Sequence, residues 1–145
     1  MRKHMILAAF LALATLVFGQ KEEETAIRKV IDEAYIGGLH NGGSLEATQK
    51  GFHPCFQLLI FRNNMVEPLP IYNWIQSTES RRKTHPEPDT VKTVCDYKWI
   101  DITGNSAVAK VELLRSGKLI FTDYLSLYRF EEGWRIVGKI YYRHP

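Results

Sequence analysis

Long apolar runs, cysteine and surplus charge are all scarce in this sequence of 145 residues. The uncharged run from Met5 to Phe18 falls short of the ~20 apolar residues that a helix needs to cross a bilayer. Only Cys55 and Cys95 are present, which excludes a disulfide-dense scaffold and leaves room for one bridge or two thiols. The formal charge of +3 is too small to form a basic footprint for nucleic acid. There is no glycine-rich phosphate loop and no nucleophile elbow. The histidines at 4, 40, 53, 85 and 144 include no two at metal-ligand spacing, so neither metal nor cofactor is expected. No repeat, linker or low-complexity tract interrupts the chain.

What is present at the start reads as an export signal. Arg2, Lys3 and His4 precede the apolar run, and Val17 and Gly19 stand three and one positions before a break ahead of Gln20. Residues 1–19 are thus expected to be a cleaved signal peptide rather than an anchor, and residues 20–145 one secreted or periplasmic domain with no membrane attachment. Arg2 and Lys3 leave with the signal, taking the formal charge from +3 to +1. No cysteine follows the run to accept a lipid at the cleavage site.

From Glu22, Ile27, Val30, Ile31, Ala34, Tyr35 and Leu39 recur at helical spacing until Asn41-Gly42-Gly43 stops the helix. Ser44 caps a short second helix over Leu45 to Lys50, closed by the Gly51-Phe52-His53-Pro54 segment. Cys55 to Phe61 is rich in β-formers and turns at Asn63-Asn64 into a short strand ending before Pro68. Ile71, Trp74 and Ile75 mark a third helix between Pro70 and Arg82, and the basic Arg81-Arg82-Lys83 end is expected to be solvated. Four strands follow, divided by Gly104-Asn105, Ser116-Gly117 and Glu131-Glu132-Gly133. The order predicts an α+β domain with three helices packed on one face of a curved, mostly antiparallel sheet.

Counting from these turns sets Trp99 opposite Lys110, Lys110 opposite Asp123, Tyr141 opposite Asp123, and Lys139 on a diagonal. Trp99, Lys110, Asp123 and Lys139 would then form a charge row on one sheet face, a subunit interface or ion-pair ladder, with Tyr97, Phe121 and Leu125 around it. The opposite face, with Ala109, Val111, Leu113, Tyr124, Ile136, Ile140 and Tyr142, is the more apolar and is expected beneath the helices. Its few polar groups suggest a ligand pocket lined by Tyr35, Trp74, Asp96, Tyr124 and Tyr142, or else a core with satisfied polar groups. His53 would stand at the entrance, as a base, a ligand contact or a histidine bonding its own turn.

Several segments together resemble a known family: Phe52-His53-Pro54, Ile100-Asp101-Ile102-Thr103-Gly104, Ala107-Val108-Ala109-Lys110-Val111, Phe121-Thr122-Asp123-Tyr124-Leu125-Ser126-Leu127, and Gly133-Trp134-Arg135-Ile136-Val137 with Lys139. They are similar to the putative lumazine-binding family of the nuclear transport factor 2-like (SnoaL-like) superfamily. The resemblance implies a cone-shaped, cystatin-like roll with a cavity between its two layers, commonly a homodimer through the sheet. That superfamily holds both enzymes and binding domains, so it fixes no activity. The expected function is an exported, non-catalytic domain for a small molecule. The alternatives are an isomerase or dehydratase, with Asp96 or Asp123 as base and Tyr124 or Tyr142 as oxyanion donor, or a structural dimerisation module. The sequence assigns no catalytic residue.

Overall fold

The computed structural model describes residues 19–86 and 90–145, so the expected signal peptide lies almost wholly outside the described residues. Helix α1 covers residues 19–40, and its second half, Ile31–His40, is a π-helix. After α2 (Leu45–Gly51) come β1 (Phe52–Arg62) and β2 (Met65–Pro70), then α3 (Ile71–Thr84). Strands β3 (Thr93–Thr103), β4 (Ser106–Arg115), β5 (Lys118–Phe130) and β6 (Gly133–Arg143) complete one six-stranded sheet. Its order is β2-β1-β6-β5-β4-β3, with only β1 and β6 parallel. This is the expected α+β roll.

Local chemistry explains the boundaries. Asn63 and Asn64 both take positive φ, 52° and 59°, the geometry that a two-residue hairpin turn demands. Ser44 accepts a hydrogen bond from the Ala47 amide and so caps α2. The π-helical half of α1 is covered on two sides, which is why Ala34, Tyr35, Ile36, Gly38 and Leu39 are all buried. On one side α2 comes so close that a Cβ on Gly38 would lie 1.9 Å from Thr48 Oγ1. On the other side lies the sheet, whose inner face supplies Ala109, Val111, Leu113, Leu125, Leu127 and Ile136 to the core.

Three bulges decide which residues reach that inner face. Arg115 pairs with Lys118 and Leu114 with Leu119, as the turn dictates, but Leu113 then pairs with Phe121. Ile120 is therefore an extra residue, and Lys110 meets Tyr124 while Asp123 meets Val111. This corrects the expected charge row. Trp99 and Lys110 do pair and stay on the outer face, whereas Asp123 and Lys139 turn inward. A second bulge at Lys98 sends Tyr97 inward too, where its hydroxyl bonds Asp32 Oδ1 at 2.7 Å and the Arg28 carbonyl at 3.1 Å. Between β5 and β6 the turn is one residue shorter than expected, and a bulge at Val137 restores the difference, so Tyr141 does face Asp123.

Candidate functional site

Among the described residues, one ion pair is buried, and it sits on the inner face under α1. Asp123 is wholly buried and Lys139 is 6% exposed, with their charged atoms 3.0 Å apart. Tyr35, delivered by the π-helical half of α1, donates its hydroxyl to Asp123 Oδ2 at 2.6 Å and accepts a hydrogen bond from Lys139 Nζ. One carboxylate oxygen therefore serves both partners. The second, Oδ1, is buried with no protein partner, as is Nε2 of His40, whose ring meets Tyr35 edge-on at 4.8 Å.

Aromatic rings enclose the ammonium. Lys139 Nζ lies 4.5 Å from the centre of Tyr35, 5.2 Å from Tyr141, 5.5 Å from Trp74 and 5.9 Å from Phe121. Each is within reach of a cation–π attraction, which strengthens when the charge is desolvated. Tyr35, Phe52 and Phe56 are the buried back of this cage, while Trp74, Phe121 and Tyr141 are half-buried and form its front. Trp74 comes from α3, which packs over this end of the sheet.

Burial sets the protonation states. It pushes the Tyr35 phenol well above its usual range, an effect that the Asp123 charge reinforces, so the hydroxyl stays a donor. Burial pulls Lys139 down from the usual lysine value, opposed by Asp123. His40 is lowered to about 3, first by burial and then by Lys139, Arg81 and Arg115. It is therefore neutral at physiological pH.

The residues expected to line one pocket do not all meet. Tyr35 and Trp74 share the inner cage, with ring centres 6.0 Å apart. Asp96, Tyr124 and Tyr142 lie on the outer face, Asp96 paired with Lys98 at 3.1 Å and Tyr124 beside Trp99 at 6.4 Å. His53 stacks on Phe130 at 4.9 Å, and its Nδ1 accepts from the Cys55 amide at 3.1 Å. Of the two proposed carboxylates, only Asp123 reaches the inside, and its partner there is Tyr35 rather than Tyr124 or Tyr142.

The sequence sets Phe121 and Tyr141 beside Asp123 but on the outer face, and it does not foresee His40 at the site. A signal for the inner face existed: a charge whose same-face neighbours two residues away are apolar, as Asp123 lies between Phe121 and Leu125, belongs to a buried face. Among the described residues no group of three or more His, Cys, Asp or Glu is arranged to hold a metal ion. The basic end of α3 is more than a solvated helix terminus, since Arg82 donates to the Gly38 and Gly43 carbonyls and ties α3 to the end of α1.

The chain has relatives of similar shape. An NTF2-like protein of unknown function from Shewanella baltica OS155 is 22% identical over 86% of this chain and 95% of its own, with a TM-score of 0.66. A second, from Silicibacter pomeroyi DSS-3, is 19% identical over 86% and 98%, with a TM-score of 0.69. A domain of unknown function with a cystatin-like fold from Nostoc punctiforme PCC 73102 is 16% identical over 86% and 78%, at 0.62. At these identities the likeness shows the fold alone. No curated protein matches the chain. The model of a family described as putative lumazine-binding matches residues 22–142, nearly the whole domain. By that match, and with the cone-shaped nuclear transport factor 2-like roll now described, the chain belongs to the putative lumazine-binding family.

Proposed function

We propose that this chain is an exported, non-catalytic domain that binds a small planar or apolar molecule at the mouth of the cone, against Trp74, Phe121 and Tyr141. The observation that carries this reading is the half-buried aromatic front of the Lys139 cage, set before a fully buried polar floor. Ligand sites combine apolar walls with a few fixed polar groups in this way. A non-catalytic role is supported by how the polar groups are used. Asp123 Oδ2 already accepts from Tyr35 and Lys139, and the Tyr35 proton is committed to that carboxylate, so Tyr35 has no proton to offer a developing oxyanion. Export is supported by the Arg2-Lys3 head and the uncharged run that follows. Among the described residues no helix is long and apolar enough to cross a membrane.

A panel of planar heteroaromatic and apolar molecules, screened by thermal shift, tests the reading. Binders should raise Tm in the wild type, lose that effect in Trp74→Ala, and be recovered chemically unchanged. A panel without a single stabiliser would sink the reading, and conversion of a bound molecule would favour the isomerase or dehydratase.

A second reading concerns the outer sheet face, where Trp99, Tyr128, Ile140 and Tyr142 are exposed and Lys110 lies over the Tyr124 ring at 5.7 Å. We propose that this face pairs with a second copy of the chain. An isologous contact needs a self-complementary patch, and here Lys110 and Asp101 share the face with the aromatics. Light scattering should give a dimer that Lys110→Glu weakens. A monomeric wild type overturns this reading.

A further inference from the structure

Beside the aromatic cage, at the end of the sheet where β4 turns into β5, lies a cleft of about 280 Å³. Its walls are Arg115, Lys118, Arg143 and His144, with Ile120, Phe121 and Pro145 between them. Lys118 from β5 and Arg143 from β6 thus border a largely apolar space together with Arg115 and His144, and among the described residues no acidic side chain lines it. Lys118 and Arg143 form no ion pair among the described residues. The far wall is fixed rather than frayed: the His144 amide donates to the Ile120 carbonyl at 3.0 Å, and its ring nitrogen meets Thr122 Oγ1 at 2.9 Å.

The shared wall links this cleft to the cone. Phe121 lines the cleft and also packs edge-on against Tyr141 at 5.6 Å, one of the rings around Lys139. Lys118 and Arg143, unpaired among the described residues, are like charges beside a concave surface and attract a counter-ion, and low-dielectric walls focus that field.

We propose that the ligand is an organic anion: its carboxylate or similar acidic head is held by Lys118 and Arg143, and its apolar body passes over Phe121 to the cone mouth. This rests on the cone mouth being the binding site for the body. The head group and the body then have separate determinants, which allows each to be tested by itself.

Binding of 3-phenylpropanoate, its neutral counterpart 3-phenylpropanol and inorganic phosphate should be measured by calorimetry on the purified protein. The acid should bind about tenfold more tightly than the alcohol, equivalent to ~1.4 kcal/mol, at about 20 mM salt, and the preference should shrink at about 500 mM. The exposed double variant Lys118→Gln/Arg143→Gln should keep the wild-type Tm and affinity for the alcohol while losing the preference for the acid. Equal binding of acid and alcohol by the wild type overturns the proposal. So does a preference that survives in the double variant, or phosphate binding as tightly as the acid. A failure of the cone-mouth reading looks different: the acid would still be preferred, but Trp74→Ala would leave both affinities unchanged.

Discussion

At Lys139, burial and pairing pull in opposite directions, and the Asp123 carboxylate 3.0 Å away is what makes a buried ammonium tolerable. Removing one member of such a pair leaves the other charge stranded, at a cost of ~3–5 kcal/mol, whereas replacing both by apolar groups is often neutral. Lys139→Met should therefore lower unfolding stability by ~3–5 kcal/mol in urea, and Lys139→Met/Asp123→Leu should recover most of it. A double variant no better than the single would mean that the pair holds the surrounding rings in place as well. His40 supplies the pH dependence. Its folded value is about 3 against 6.5 for the free side chain, so the native state excludes a proton that the unfolded chain takes up. Stability is then lost as pH falls from 6.5 towards about 3, by at most ~1.4 kcal/mol per unit. His40→Phe removes that proton and should flatten urea midpoints between pH 7 and 5; an unchanged slope would assign the acid sensitivity to other groups.

At the scale of elements, the approach of α2 to α1 depends on positions without a side chain. Thr48 bonds the Ala34 carbonyl at 2.9 Å across the same contact at which a Gly38 Cβ would meet its hydroxyl. Gly38→Ala should force the helices apart and cost ~1–3 kcal/mol, read as a drop in Tm. Because Tyr35 sits on the same π-helical segment, any cone ligand should also bind more weakly; an unchanged Tm would show that the contact yields freely. The order of helices and strands was legible because turn chemistry is local: Asn63-Asn64 and Ser116-Gly117 carry their positive φ angles in their own sequence. The inner face was legible only as far as the first bulge. Ile120 looks like any strand residue, yet as an unpaired extra it moves Asp123 from the outer row to the core, because side chains alternate with a period of two. The exchange of Tyr124 and Tyr142 for Phe121 and Tyr141 around the cage follows from that one residue. The bulge at Val137 did no such harm, since the shorter turn offset it.

For the whole molecule, sheet order settles what spacing along the chain left open. Cys55 lies on β1 and Cys95 on β3, and three strands, β6, β5 and β4, stand between them. Four inter-strand steps of ~4.8 Å place them ~19 Å apart along the sheet, far beyond the ~7 Å that a disulfide can bridge. Both cysteines are free thiols, Cys55 exposed and Cys95 half-buried. Their reactivities should differ widely. Burial pushes the Cys95 thiol up to about 12, an effect to which nearby Asp32 adds, and the thiolate is the reacting species. If the chain is exported as proposed, two unbridged thiols enter an oxidising compartment, and their separation is what protects the fold from an internal bridge. Iodoacetamide at pH 8, followed by mass spectrometry, should modify Cys55 rapidly and Cys95 only after denaturation, with no need for reductant at either. The same spectrum should show a mature chain starting at Gln20. A chain that resists labelling at both cysteines until reduced would contradict the sheet order, and an intact Met1 on protein recovered from outside the cytoplasm would contradict the signal peptide.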